Sequence, residues 1–277
     1  MADDPSAAPD PVLRRVEDGV AWITLNRPEA GNAITAAMRD QVIDWLEEAS
    51  ADLAVRVVML TGAGEKGFCT GADLRSASAG PPRPAGAPDR AVGDAARLIR
   101  TGWQRLVSAV LDCEKPVIAV VNGTAAGGGM HLALACDLVL AAEESKFIEV
   151  FVRRGIAPDA GGAYLLARLI GPQRAKELFF FGDDVPAREA ERLGLVNRVV
   201  PRAALPALAA EWAARLATAP TKAIGVAKYL TNRALDTDRA TALWDEAVGQ
   251  ELVTGTEDCK EGLAAFAERR PPVFRGW

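Results

Sequence analysis

Residues 117–139 read VIAVVNGTAAGGGMHLALACDLV and limit the architectures open to this chain more than any other stretch. The apolar, β-branched run at 117–121 predicts a strand buried on both faces, the pattern of a parallel sheet. Asn122-Gly123 marks a turn. Gly127-Gly128-Gly129 lets the backbone come close to whatever lies opposite, because no Cβ stands in the way. Residues 130–136 then open a helix, whose first turn carries unpaired N–H groups and a partly positive end. Strand, glycine turn and helix start together suit the holding of a developing negative charge. Two plainer readings compete. One is a core strand-turn-helix without function. The other is a membrane span, because residues 117–136 carry no formal charge when His131 is neutral. Asn122, Thr124, the glycines and Asp137 weigh against the span.

The totals narrow the chemistry. The chain has 277 residues, which suits one large domain or a domain with a lobe. A net charge of −5 gives no reason to expect a nucleic-acid partner. Cys69, Cys113, Cys136 and Cys259 are far apart and form no CxxC pair, so they read as free thiols of a reducing compartment. Residues 1–11 are acidic and rich in Pro and Ala, without the basic start or apolar core of a signal peptide. They are expected to be a disordered leader, and the protein to be cytoplasmic. His131 is the only histidine. A multi-histidine metal site is thereby excluded, and a Ser-His-Asp triad could use that residue alone. No GxSxG elbow occurs. Proton transfer therefore falls to a carboxylate.

Along the chain, strands at 12–16 and 20–25 flank Asp18-Gly19, a hairpin turn. Thr35 is expected to cap a helix over 36–49, with Met38, Val42, Trp45 and Leu46 on one face. Residues 55–61 form the next buried strand. Gly62-Ala63-Gly64-Glu65-Lys66-Gly67 then matches G-x-G-x-x-G. A dinucleotide site would need those glycines to open a helix, with an acidic residue about 20 positions on. Phe68-Cys69-Thr70-Gly71 is a poor helix start, and 81–88 is no strand, which argues against that site. Residues 76–93, rich in Ala, Gly and Pro, predict a surface loop. A single helix is expected over 95–111. A strand follows at 137–142, then an extended segment at 147–152. Helices are expected at 163–170, 172–181 and 187–193, and a short strand at 196–200. From 203 the pattern is helical, with starts at Pro220, at Thr237 or Asp238, and at Thr256. The layout is α/β for about two-thirds of the chain, followed by a helical region. The expected divisions are 1–11, 12–200 and 201–277.

Five motifs stand in a telling order: Asn26-Arg27-Pro28, the run from Gly67 through Thr70-Gly71-Ala72-Asp73 to Leu74, Gly127-Gly128-Gly129, Pro158-Asp159-Ala160-Gly161-Gly162, and Glu261-Gly262-Leu263-Ala264-Ala265-Phe266. Together they resemble the enoyl-CoA hydratase/isomerase (crotonase) superfamily over nearly the whole chain. The resemblance implies a spiral of ββα units and a C-terminal helical region that makes trimers, often paired as hexamers. It implies an acyl-CoA thioester substrate, with coenzyme A part of that substrate and no metal or redox cofactor. Nucleic acid and membrane are not expected partners. By motif position, the Ala72 and Gly128 N–H groups would hold the thioester oxygen. Residues 26–33 lie where the family holds the CoA nucleotide, so the resemblance places Arg27, Ala33, Asp73, Leu74 and Arg75 along the substrate. Arg27 is read either as a phosphate partner or as a solvated surface arginine, and Arg75 likewise. The 76–93 loop is a candidate cover for the acyl group.

The chain departs from the family's hydratases at both of their glutamates. His131 stands at the first position and Phe151 at the second, where it would line the acyl site. Glu149, two residues from Phe151, would share its face if that segment is extended. Asp159 sits where several isomerases of the family keep the carboxylate that shuttles a proton along the acyl chain. The segments 147–152 and 155–159 look especially like the ring-epoxide isomerase branch. Asp159 is also a candidate cap for the helix beginning near Gly161. His131 is either a structural core histidine or a pocket residue that bonds substrate or water, or acts as a second acid/base. The leading expectation is an acyl-CoA isomerase with Asp159 as base. The alternatives are a hydratase using His131 and Glu149, and a non-catalytic acyl-CoA-binding protein.

Overall fold

The structure, a computed structural model, describes residues 10–75, 83–89 and 91–277. Of the loop expected at 76–93, residues 76–82 and 90 lie outside the described residues, and of the leader expected at 1–11, residues 1–9 do. Asp10 and Pro11 are described, and their carbonyls accept hydrogen bonds from the Asn26 side chain and backbone, each at 2.8 Å.

In chain order the strands are β1 (Val12–Glu17), β2 (Val20–Leu25), β3 (Val57–Gly62), β4 (Gly67–Cys69), β5 (Val117–Val121), β6 (Thr124–Ala126), β7 (Leu138–Ala142), β8 (Lys146–Ile148), β9 (Asp184–Pro186) and β10 (Arg198–Val200). The helices are α1 (Ala36–Ala51), α2 (Asp94–Thr101), α3 (Trp103–Asp112), α4 (Gly128–Ala135), α5 (Gly162–Phe181), α6 (Ala187–Leu193), α7 (Leu205–Ala217), α8 (Thr221–Ala234), α9 (Arg239–Thr254) and α10 (Glu257–Glu268).

Two sheets result. The larger runs β1-β2-β3-β5-β7-β10, parallel except for the β1–β2 hairpin. The smaller runs β4-β6-β8-β9. Three times in succession a long strand in the large sheet turns into a short one in the small sheet: β3 into β4, β5 into β6, β7 into β8. This is the crotonase-like α/β arrangement, and its large sheet is built from apolar runs whose side chains alternate between two cores. In β3, Val58 and Leu60 join the core beneath α1, α3 and α4, while Val57 and Met59 join the core beneath α7. β5 divides the same way, with Val117, Ala119 and Val121 on one side and Ile118 and Val120 on the other. Apolar residues on both faces are what a covered parallel sheet requires.

Several expectations need correction. The single helix expected over 95–111 is two, α2 and α3, parted at Gly102. A Cβ there would meet the Leu98 carbonyl at 2.5 Å. The G-x-G-x-x-G run joins β3 to β4 and opens no helix, so it cannot place a helix N-terminus on a pyrophosphate. Residues 147–152 are not one extended segment. β8 stops at Ile148, and Phe151 has helical dihedrals at the start of a 3₁₀ turn over Val152–Arg154. Of the helices after 201, α7 packs through Leu205, Ala209 and Ala213 on the large sheet. The caps are as read: Thr35 accepts from the Met38 N–H, Asp238 from Ala240 and Thr241, and Thr256 from Cys259. Among the described residues no helix is long and apolar enough to cross a membrane.

Candidate active site

The small sheet explains why residues far apart in sequence meet. β4, β6 and β8 are parallel neighbours, so their C-terminal ends lie side by side. Thr70-Gly71-Ala72 follows β4, Gly127-Gly128 follows β6, and Glu149 follows β8. The ends of adjacent parallel strands form a natural crevice.

The first two turns abut. Gly71 has φ +97°, and a Cβ on it would stand 3.2 Å from the Ala126 carbonyl and 3.5 Å from the Gly128 nitrogen. A Cβ on Gly129 would lie 2.1 Å from the Cys69 carbonyl, so only glycine lets α4 start this close to β4. Ala72 pairs with Ile34 in a parallel bridge, in which the Ile34 N–H donates to the Gly71 carbonyl and the Asp73 N–H donates to the Ile34 carbonyl. Alternation along an extended chain then turns the Ala72 N–H away from Ile34. The Gly128 N–H lies in the first turn of α4 and has no acceptor within the helix.

An internal ion pair steadies the Ala72 turn. Arg27 donates to the Ala33 carbonyl at 2.8 Å and to Asp73 at 2.9 Å. The Asp73 side chain is only 5 % exposed, against 22 % for Arg27. Arg27 is therefore not the solvated surface arginine that sequence reading had kept open. Arg75, 74 % exposed, donates to the other Asp73 oxygen at 3.1 Å. Hydrogen bonds from Arg75 and then Arg27 hold the Asp73 carboxyl far below its usual range. Leu74 is exposed and Ala33 is buried.

His131, Glu149 and Phe151 meet. His131 is fully buried in the first turn of α4, and its Nε2 lies 2.8 Å from Oε1 of Glu149, itself 2 % exposed. The Phe151 ring stacks on the imidazole, with centroids 5.2 Å apart and planes 14° from parallel. Glu149 and Phe151 thus reach one ring, but through the turn after β8 rather than by strand alternation. Gly162 makes room: a Cβ there would sit 2.0 Å from His131 Nε2. Sequence reading placed Gly162 in a motif but did not reveal its contact with His131, although paired glycines at a helix start signal close approach. It also missed Trp103, whose indole would meet a Cβ on Gly128 at 2.9 Å.

Asp159 lies in the turn before α5, partly buried, with its carbonyl accepting from Gln104 Nε2 at 3.2 Å. The cap of α5 is Gly161, with no side-chain cap bond, so Asp159 is not the capping residue. Burial raises the Asp159 carboxyl above its ordinary value, opposed by the charge of His131 and by the amides of residues 159 and 160. A carboxylate raised by desolvation is the form a returning base takes.

The enoyl-CoA hydratase/isomerase family matches residues 15–276. The chain belongs to that family. It is 38 % identical over 265 residues to the 1,2-epoxyphenylacetyl-CoA isomerase of Escherichia coli K12, covering 96 % of this chain and 98 % of that protein. It is 37 % identical over 267 residues to the crotonyl-CoA hydratase of Syntrophomonas wolfei, covering 95 % and 97 %. The crystal structure of the enoyl-CoA hydratase from Bacillus anthracis superposes with a TM-score of 0.85 at 37 % identity, covering 97 % of this chain and all of that one. Relatives named as isomerases and as hydratases are thus similarly close in sequence.

Proposed function

We propose that this member of the family is an acyl-CoA isomerase whose base is Asp159. The observation that carries the reading is Asp159 itself, a carboxylate raised by burial and within electrostatic reach of His131, on the helix that opens at Gly128. Its carboxylate removes a proton from the acyl carbon next to the thioester carbonyl, or from the carbon beyond the double bond. The electron pair moves into the carbonyl, and the enolate oxygen is held by the Ala72 and Gly128 N–H groups. Two such donors contribute on the order of 3 kcal/mol each to the transition state. Asp159 then returns the proton to a different carbon, and the double bond has moved. Opening a strained ring would start from the same enolate. Arg27 and Asp73 hold the Ala72 turn in place, and Arg75 and Leu74 border the CoA side. The enzyme acts in the cytoplasm as a homotrimer or hexamer, and needs no cofactor beyond the CoA its substrate carries. Exposed Leu243, Trp244, Leu252, Leu263 and Phe266 on α9 and α10 supply apolar area for such an assembly.

A second reading has an observation of its own. His131 and Glu149 are bonded to each other near the two abutting turns, and such a pair could activate water for hydration. Incubation with enoyl-CoA in ¹⁸O-labelled D₂O separates the two. Isomerisation exchanges carbon-bound hydrogen without incorporating oxygen. Uptake of ¹⁸O into the acyl chain would overturn the isomerase reading.

A further inference from the structure

A cavity of about 770 Å³ lies between α8 and α9, with Glu114 and Lys115, just ahead of β5, as a further wall. Val226, Val248, Leu252, Val253 and Trp277 make its lining mostly apolar. Close contacts around it hold its shape. A Cβ on Gly249 would meet Val226 at 2.8 Å, so α8 and α9 touch there, and one on Gly225 would meet the Glu114 carbonyl at 2.6 Å. Asp258 accepts from the N–H groups of Arg275 and Gly276 at 2.6 and 2.7 Å. Its own N–H donates to the Trp277 carbonyl at 3.0 Å, which keeps Trp277 at the cavity wall.

The charges around this cavity do not cancel. Its carboxylates are matched: Glu114 pairs with Lys222 at 3.0 Å, Glu257 with Lys260 at 2.6 Å, and Asp245 with Arg233. Lys115 is different. It is 2 % exposed and lines the cavity, and among the described residues its ammonium has no hydrogen-bond or ion-pair partner. Burial, and next the charge of nearby Lys222, lower the Lys115 amine from its ordinary value. A buried charge is costly unless it is paired, and the complement of a lone ammonium is an anion. Apolar cavities of this size with few convergent polar groups are the usual form of small-molecule sites. We propose that this cavity binds an amphipathic monoanion, a carboxylate on an apolar chain, with the carboxylate on Lys115 and the chain along Val226, Val248 and Leu252. The site goes beyond the acyl-CoA reading above and does not depend on it. Lys115 stands ahead of β5, whereas the glycine turn follows β6.

The test uses three probes with the same tail, octanoate, octanol and octyltrimethylammonium, titrated calorimetrically into the full-length protein. Octanoate is expected to bind about tenfold or more tighter than octanol, because its charge meets Lys115, and the cation should not bind. Lys115→Met should bring octanoate down to the level of octanol. Leu252→Trp, at an exposed position of the cavity wall, should abolish octanoate binding while binding of butyryl-CoA is unchanged, and it locates the site even if Lys115→Met does not fold. A saturating level of butyryl-CoA should leave octanoate binding in place. Octanoate that binds no better than octanol overturns the proposal. So does failure of both to bind, the result expected if a second copy of the chain covers the cavity. Octanoate displaced by butyryl-CoA, or held as tightly by Leu252→Trp as by wild type, would put the anion elsewhere and overturn the proposal, with the acyl-CoA reading left standing.

Discussion

Lys228 of α8 reaches the carboxylate of Asp137, 2.9 Å away, at the foot of β7. Its other donors go to the carbonyls of Val110 at 2.9 Å and Lys115 at 3.2 Å. One ammonium thus fastens the C-terminal helices to the end of α3 and to the strand edge. Asp137 also accepts from the Val117 N–H at 2.7 Å, at the start of the strand that leads to the glycine turn. Burial raises the Asp137 carboxyl, and the attraction of Lys228 only partly offsets it.

Removing one partner of such a buried pair strands the other. Lys228→Met is expected to lower stability by about 3–5 kcal/mol. Adding Asp137→Asn should recover part of that loss, because the amide oxygen still accepts from Val117. Urea unfolding of the single and double variants checks both. A single variant as stable as wild type would show that the pair contributes nothing.

Asp159→Asn is expected to lower isomerase turnover by about 10²–10⁴-fold, the usual share of a general base. Binding of acyl-CoA should persist, because the main-chain donors are untouched. Isothermal titration alongside steady-state kinetics tests this. Full activity in the variant would assign the base elsewhere.

The raised Asp159 carboxyl gives two pH signatures. The base must be ionised, so the acid limb of kcat/KM should lie above the ordinary aspartate value of about 3.9. For stability the sign is the opposite. A carboxyl raised on folding contributes stability below its unfolded pKa and loses it as pH rises through the folded one. At neutral pH the ionised group is therefore a burden, and Asp159→Asn should melt at a higher temperature than wild type. The gap should narrow as pH falls. A gap that is absent at pH 7, or that widens with acid, would contradict the burial argument.

Gly162→Ala drives a methyl group into the His131 ring, where 2.0 Å separates the Cβ position from Nε2. A destabilisation of about 1–3 kcal/mol is expected from overpacking. Combining it with His131→Ala should cost less than the two single losses added together, since the clash is gone. Additive losses in thermal melts would mean the two sites do not touch.

Arg27→Met releases both the Ala33 carbonyl and Asp73. Turnover is expected to fall on the order of tenfold through misplacement of the Ala72 donor. KM should change less than kcat, which separates this from loss of a phosphate contact. Asp73 is held low, so its share of stability is present above the unfolded aspartate value and is lost as pH falls. A stopped-flow comparison of kcat and KM, repeated for Asp73→Asn, decides.

The sequence alone determined the large sheet, the hairpin, most helices and their caps, because each rests on local rules. Residues 57–60 are all apolar, as a strand covered on both faces requires, Asp18-Gly19 turns, and Thr35, Asp238 and Thr256 cap. The order of the glycine motifs gave the family. The short strands β4, β6 and β9 escaped notice, since three residues carry too little periodicity to read. Those strands decide the site. Side-by-side pairing of β4, β6 and β8 brings Gly71 against Gly128, and it brings Glu149 to His131 from the turn after β8. No local pattern encodes a meeting between chain segments that far apart. It follows from which strands hydrogen-bond to which, and from glycines whose missing side chains let those segments close.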